Sequence, residues 1–170
     1  MEAVNLKKIG WMMALTVLCV ACFPFNPLVL TGLIEPVFYL PSFIMGWVVW
    51  GVGMMLVLTP IIMFPRRGNV PKGKSFVHKT RLVDTGIYAM IRHPQYLGGI
   101  LAIFIATPLL YLHWLFVVLG VPGILILYMS TREEETRLIE RFGADYQSYM
   151  HKVPRMNLVS GLLRLRRSRK

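Results

Sequence analysis

Residues 99–132 read GILAIFIATPLLYLHWLFVVLGVPGILILYMSTR, 34 positions whose only charged side chain is the final arginine. Two apolar runs meet at Leu112-His113-Trp114, a tight turn. Each run is short for a bilayer, which takes about 20 residues of helix. Pro108 and Pro122 are expected to bend them, which packed neighbours tolerate within a membrane. Read as a hairpin, the stretch crosses a membrane and returns, so the sequences at its two ends face each other. The near end holds Gly86-Ile87-Tyr88 and Ile91-Arg92-His93-Pro94-Gln95-Tyr96-Leu97-Gly98. The far end holds Glu133-Glu134-Glu135, Leu138, Phe142-Gly143, Tyr146, Tyr149 and Val153-Pro154-Arg155. A cationic turn thus meets an acidic helix start, a pairing suited to a small zwitterion.

Working outward, the composition agrees with a membrane chain. Hydrophobic residues make up 55% of the 170 positions, charged residues only 16%, and mean hydropathy is +0.56. A soluble domain carries about a quarter charged residues. The expected fold is an all-α integral membrane protein of about four transmembrane helices in a single domain over 1–170. The spans are placed at 9–33, 42–64, 96–112 and 114–129. A cytoplasmic loop and a C-terminal amphipathic helix complete a core at 82–155. The first span bends near Pro24 and Pro27 and is read as a retained anchor rather than a cleaved signal. Gly46, Gly51 and Gly53 offer the second span small faces for close helix packing.

The net charge of +11 sits in three blocks: Lys7-Lys8, 66–92 and 132–170. None of the 19 Lys and Arg residues lies at 9–65 or 93–131. Basic excess in short loops on one side sets orientation. The N-terminus, the loop at 65–95 and the C-terminal segment are therefore expected to be cytoplasmic, in either an inner membrane or an endoplasmic reticulum membrane. The charge reads as topology and not as a nucleic-acid footprint. Arg164, Arg166, Arg167, Arg169 and Lys170 are expected on anionic lipid headgroups. Cys19 and Cys22, three apart in an apolar run, read as packing: a disulfide across one helical turn has poor geometry, and a metal would need further ligands nearby. No metal is expected. His78, His113 and His151 read as surface or interfacial.

The loop is expected to be flexible at 65–80. From Leu82 the pattern changes: Asp84 can cap a short helix, with Ile87, Tyr88 and Ile91 on its apolar face, and Pro94 suits the first turn of the third span. Beyond Met129 the chain leaves the membrane as a helix whose stripe is Leu138, Ile139, Phe142, Tyr146 and Tyr149. Pro154 ends it. From Gly161 the tail alternates Leu and Arg and reads as amphipathic.

Taken singly, each polar motif is ordinary. Arg92 at the edge of a span is a common positive-inside anchor, and acids at a helix start answer its dipole. Taken together they converge. Arg92 can grip a carboxylate or phosphate with two parallel donors. His93, fixed before Pro94, offers either ring nitrogen. Gly98 and Gly99, one turn into the span, let a ligand approach the backbone.

The string Gly-Ile-Tyr-x-x-Ile-Arg-His-Pro-x-Tyr-x-Gly, followed by Glu-Glu-x-x-Leu-x-x-x-Phe-Gly-x-x-Tyr-x-x-Tyr, resembles the isoprenylcysteine carboxyl methyltransferase and phospholipid methyltransferase superfamily. The resemblance covers 82–155 and aligns the paired acids with Glu134 and Glu135, leaving Glu133 as an extra. It implies S-adenosylmethionine as methyl donor, with cofactor contacts from Arg92, His93, Pro94, Tyr96, Gly98, Glu134 and Glu135. The cationic turn suits that cofactor's carboxylate, and a glutamate suits its ammonium or ribose hydroxyls. Tyr96, Tyr146 or Tyr149 can cover the adenine. Arg92, Glu135 and Arg155 are the candidate catalytic residues, Arg155 for a substrate carboxylate or phosphate or, equally, a headgroup contact. The acceptor is left open among a prenylcysteine-like carboxylate, a phospholipid headgroup amine and a thiol; for an amine, Glu135 or His93 can take the proton. The substrate enters from the bilayer, and the 1–64 region, which resembles no specific member, is where its choice would reside. A related Arg-His-Pro-x-Tyr-x-Gly stretch occurs in NADPH-dependent membrane sterol reductases, usually much longer chains. The glutamate pair and short length favour the methyltransferase. A non-catalytic adaptor of the same fold remains a third reading.

Overall fold

A computed structural model describes Cys19, residues 26–67 and residues 82–168. Most of the expected first span, and the polar loop at 68–81, lie outside the described residues. Among those described, every regular element is helical.

Helix α1 is one turn, Pro27–Leu30, with Asn26 as its N-cap; the Asn26 Oδ1 accepts from the Leu28 N–H at 2.8 Å. Helix α2 runs Leu40–Arg67, and a 3₁₀ turn covers Gly86–Ala89. Helix α3 (Pro94–Gly99), a π-helical stretch (Ile100–Ile105) and α4 (Ala106–Tyr111) follow without a break. Then come α5 (Trp114–Phe142), α6 (Ala144–Lys152) and α7 (Leu158–Ser168). Among the described residues, three stretches are long and apolar enough to cross a membrane: Leu40–Thr59, Pro94–Tyr111 and Trp114–Phe142. The protein is a membrane protein.

The chain divides into two compact units. The first comprises Met1–Met54 and Gly99–Ser130. Its helices meet through small residues. A Cβ on Gly46 would lie 2.7 Å from the Leu110 Cγ, and one on Gly123 would run into the Phe104 ring. Gly51, also expected at a close contact, has nothing within 4 Å of that position. The π-helical stretch lies just upstream of Pro108 and helps to accommodate it. Proline has no N–H and crowds the carbonyl four residues back, here that of Phe104. Widening the turn just upstream relieves the crowding, and the Thr107 hydroxyl donates to the Ile103 carbonyl at 2.8 Å. The hairpin turn is closed by Leu112 in the left-handed region (φ 45°), its N–H on the Pro108 carbonyl. The His113 Nδ1 then accepts from the Leu115 N–H at 3.3 Å.

The second unit comprises Met55–Gly98 and Thr131–Lys170. Two small cores hold it. Tyr146, Tyr149 and Val153 are packed by Leu82, Leu138, Ile139, Phe142 and Met150, so the helical stripe expected from the sequence is a core. Val83 and Tyr88 pack with Met63 and Ile87. Two local expectations are corrected here. The short element after Leu82 is a 3₁₀ turn preceded by Thr85, not a helix capped by Asp84; Gly86, at φ 64°, sets its start. The Glu133-Glu134-Glu135 run lies in the body of α5, not at a helix start. Nothing from Met129 to Phe142 interrupts a helix, and the break comes only at Gly143 (φ 56°). The helix dipole therefore gives these acids no support.

Candidate active site

Helical geometry decides which glutamate points inward. Glu135, Leu138, Ile139 and Phe142 fall at i, i+3, i+4 and i+7, one face of α5. The Glu135 side chain is only 5% exposed, Glu134 is 26% exposed at the edge of that face, and Glu133 is exposed.

The backbone before α3 is laid against the stretch after α6. The Arg92 N–H donates to the Pro154 carbonyl at 3.0 Å, and the His93 N–H to the Arg155 carbonyl at 3.1 Å. Pro94 then opens α3 without needing an amide partner. These two bonds bring Arg92, His93 and Arg155 onto Glu135. The Arg92 Nη1 lies 2.9 Å from Glu135 Oε1, and the His93 Nε2 lies 3.2 Å from the same oxygen. Arg155 donates from Nε to Oε1 at 3.0 Å and from Nη2 to Oε2 at 2.5 Å. A carboxylate so buried is stable only when its charge is compensated: His93 and Arg155 hydrogen-bond Glu135, and Arg92 adds an ion pair. An ionised carboxylate accepts only, so His93 carries its proton on Nε2. Its Nδ1 lies 3.9 Å from Glu134 Oε2.

Aromatic side chains frame the cluster. The Tyr96 hydroxyl pairs with Glu134, and its ring meets the His93 imidazole edge-on at 5.6 Å. The Tyr146 hydroxyl pairs with the Arg92 guanidinium. Tyr149, its ring 5.7 Å from that of Tyr146, donates from its hydroxyl to the Tyr88 carbonyl at 2.6 Å. Burial pushes the phenols of Tyr88, Tyr146 and Tyr149 above their ordinary range, so all three stay protonated near neutrality.

The site residues named from the sequence, Gly99 apart, belong to this one unit. Arg92, His93, Glu134, Glu135, Tyr96, Tyr146 and Arg155 form the connected network, with Pro94 and Gly98 buried in the helix that begins there. Sequence reasoning missed that Arg155 grips Glu135, and that Pro154 and Arg155 supply the carbonyls that fix Arg92 and His93. The Val-Pro-Arg string was the available signal. Arg164, expected on lipid headgroups, instead turns inward and donates to the Ala89 carbonyl at 2.5 Å.

The donor set suits a ligand bearing both signs of charge. The Arg92 side chain is only 9% exposed, and its buried Nε has no hydrogen-bond partner among the described residues. Such a donor is costly unless a ligand or water takes it. Glu134 offers a partly exposed carboxylate nearby. The cavity lined by Arg92, His93, Glu134, Tyr146 and Tyr149 holds about 20 Å³, room for one water, so a larger ligand requires side chains to move aside. A larger cleft of about 590 Å³ adjoins it, sharing Leu82 and Tyr149, and is lined also by Asp84, Asp145, Lys152 and Arg164. No group of three or more His, Cys, Asp or Glu among the described residues is arranged to hold a metal.

Comparison with known proteins agrees with the resemblance read at 82–155. Residues 41–145 match the family described as phospholipid methyltransferase, a stretch that reaches back to include most of α2. Methanethiol S-methyltransferase 2 of Bradyrhizobium diazoefficiens is 40% identical over 89 residues, covering 52% of this chain and 30% of that protein. Methanethiol S-methyltransferase of Pseudomonas deceptionensis is 30% identical over 112 residues, covering 63% of this chain and 41% of that protein. The matched stretches thus span less than half the length of these relatives. No solved structure matches the chain.

Proposed function

The chain belongs to the phospholipid methyltransferase family, and from that premise we propose that it transfers a methyl group from S-adenosylmethionine to a small membrane-partitioning nucleophile. The observation that carries this reading is the buried Arg92 guanidinium, with an unpartnered Nε, set beside a glutamate pair. When bound, the cofactor supplies a methyl group already activated on a sulfonium. The protein's part is then to bind, align and exclude water.

Arg92 would hold the cofactor carboxylate through its free Nε, and Glu134 the ammonium or the ribose hydroxyls. Glu135, committed to Arg92, His93 and Arg155, is a positioning residue in this reading rather than a base. His93 is the better proton acceptor. Its Nε2–H is fixed by Glu135, which leaves the lone pair on Nδ1 to take a proton from an incoming thiol or amine. Tyr96 and Tyr146 would line the space that opens around the ligand. The charge bias supports a cytoplasmic side for the N- and C-termini and the site.

Among a prenylcysteine-like carboxylate, a headgroup amine and a thiol, we favour a small thiol, because both relatives are named for methanethiol S-methylation. The test supplies methyl-labelled S-adenosylmethionine to the purified protein with methanethiol, phosphatidylethanolamine or a prenylcysteine analogue. Label in a volatile thioether, absent with Arg92→Ala, is expected. Label only in the lipid amine or the carboxyl ester overturns the acceptor and keeps the methyl transfer. No label with any acceptor overturns the reading.

A further inference from the structure

Helix α7 has two unlike faces. The inner face is clamped to the 3₁₀ segment: Gly161 is buried, a Cβ there would run into the Met90 carbonyl, and Arg164 bonds the Ala89 carbonyl. The outer face carries Val159, Leu162 and Leu163, exposed at 69%, 44% and 53%. Arg166 and Arg167, also exposed, follow one turn later. At 100° per residue, Val159, Leu162, Leu163 and Arg166 share an arc of about 100°, with Arg167 at its margin.

The charge on this segment has one sign. From Leu158 to the end of the chain there are five Lys and Arg residues and no Asp or Glu. A partner must therefore be apolar at the centre of the contact and anionic around it. The stripe is aliphatic and has no Tyr or Trp, the residues that enrich the cores of protein interfaces. Long arginine stems beside an apolar stripe can lie along hydrocarbon while their guanidinium groups reach phosphate. The described residues also include helices able to cross a membrane, so a bilayer is always within reach.

We propose that the outer face of α7 docks on an anionic bilayer, with Val159, Leu162 and Leu163 against the acyl chains and Arg166 and Arg167 on lipid phosphates. This surface is independent of the reaction assigned above.

The test uses the full chain with Cys19→Ser and Cys22→Ser, reconstituted into nanodiscs of phosphatidylcholine with or without phosphatidylglycerol. An environment-sensitive fluorophore is placed at Leu162→Cys or, as a second reporter, Val159→Cys. The exposed Gln147→Cys on α6 serves as the water-exposed reference. In anionic nanodiscs, the α7 reporters should shift to the blue and be quenched by spin-labelled lipid. Replacing Arg166→Gln and Arg167→Gln should lower the docked-to-free ratio roughly fivefold per arginine at low salt. Reporters as wet as Gln147→Cys in anionic nanodiscs overturn the proposal. So does a blue shift without lipid quenching, which would mean that protein, a second copy included, covers the face.

Discussion

Arg155 holds Glu135 twice: its guanidinium donates to both carboxylate oxygens, while its own backbone carbonyl accepts the N–H of His93 at 3.1 Å. One residue thus sets both the carboxylate and the histidine that touches it. Replacing Arg155→Lys keeps the charge and the carbonyl but loses the fork, which a lysine cannot reproduce. The Arg155 side chain is partly exposed, so the expected loss is modest, about 1–2 kcal/mol. Thermal unfolding in detergent measures it, and an unchanged midpoint would show that the fork adds nothing to stability.

Glu135→Gln should be more severe. It leaves Arg92 buried without its carboxylate, and removing one partner of a buried ion pair costs about 3–5 kcal/mol. The same unfolding measurement checks it. Helical circular dichroism at low temperature tells a destabilised fold from one that never forms.

Glu134→Ala separates binding from folding. Its side chain is 26% exposed, and partly exposed pairs contribute about 1 kcal/mol or less. Stability should barely move, while affinity for S-adenosylhomocysteine falls roughly tenfold, the value of one charge-assisted contact. Unchanged affinity would remove Glu134 from the cofactor site.

The tyrosines give a pH signature. In the folded chain, burial holds Tyr88, Tyr146 and Tyr149 protonated above the ordinary phenol value of 10. A folded state that keeps its proton while the unfolded state releases it loses stability as pH rises. These groups should leave stability unchanged below the ordinary phenol range and lower it steadily above. Midpoints recorded from neutral to strongly alkaline pH test this. Tyr149→Phe should lessen the alkaline slope and cost about 1 kcal/mol at neutral pH, because the Tyr88 carbonyl loses its donor.

Gly161 is the position where α7 meets the segment ahead of Arg92. Gly161→Val should unseat the helix, because its Cβ would occupy the space of the Met90 carbonyl, at a cost of about 1–3 kcal/mol. Faster amide hydrogen exchange at 86–92 is the expected readout.

The sequence disclosed most of this arrangement because the hairpin is a local feature. Apolar length and the absence of charge at 99–131 placed the turn, and the turn brought Arg92-His93 toward the glutamates. What it hid depended on distant or displaced effects. The crowding at Pro108 is relieved upstream, in the π-helical stretch, and not at the proline itself. The glutamate run looked like a helix start because acids favour that place, yet α5 continues to Gly143. Arg155 reads from the sequence as a contact for a substrate anion or a headgroup, and Arg164 as a headgroup contact. Their partners, Glu135 and Ala89, lie 20 and 75 positions away, beyond any periodicity.

The central claim, that the Arg92–Glu135 cluster builds a site for an adenosyl methyl donor, is tested most directly by calorimetry on the purified protein in detergent. S-adenosylmethionine, S-adenosylhomocysteine and NADPH are titrated in turn. The account predicts binding of both adenosyl ligands, weakened by Arg92→Ala, and none of NADPH. Binding of NADPH alone, or no binding by folded protein, would contradict it.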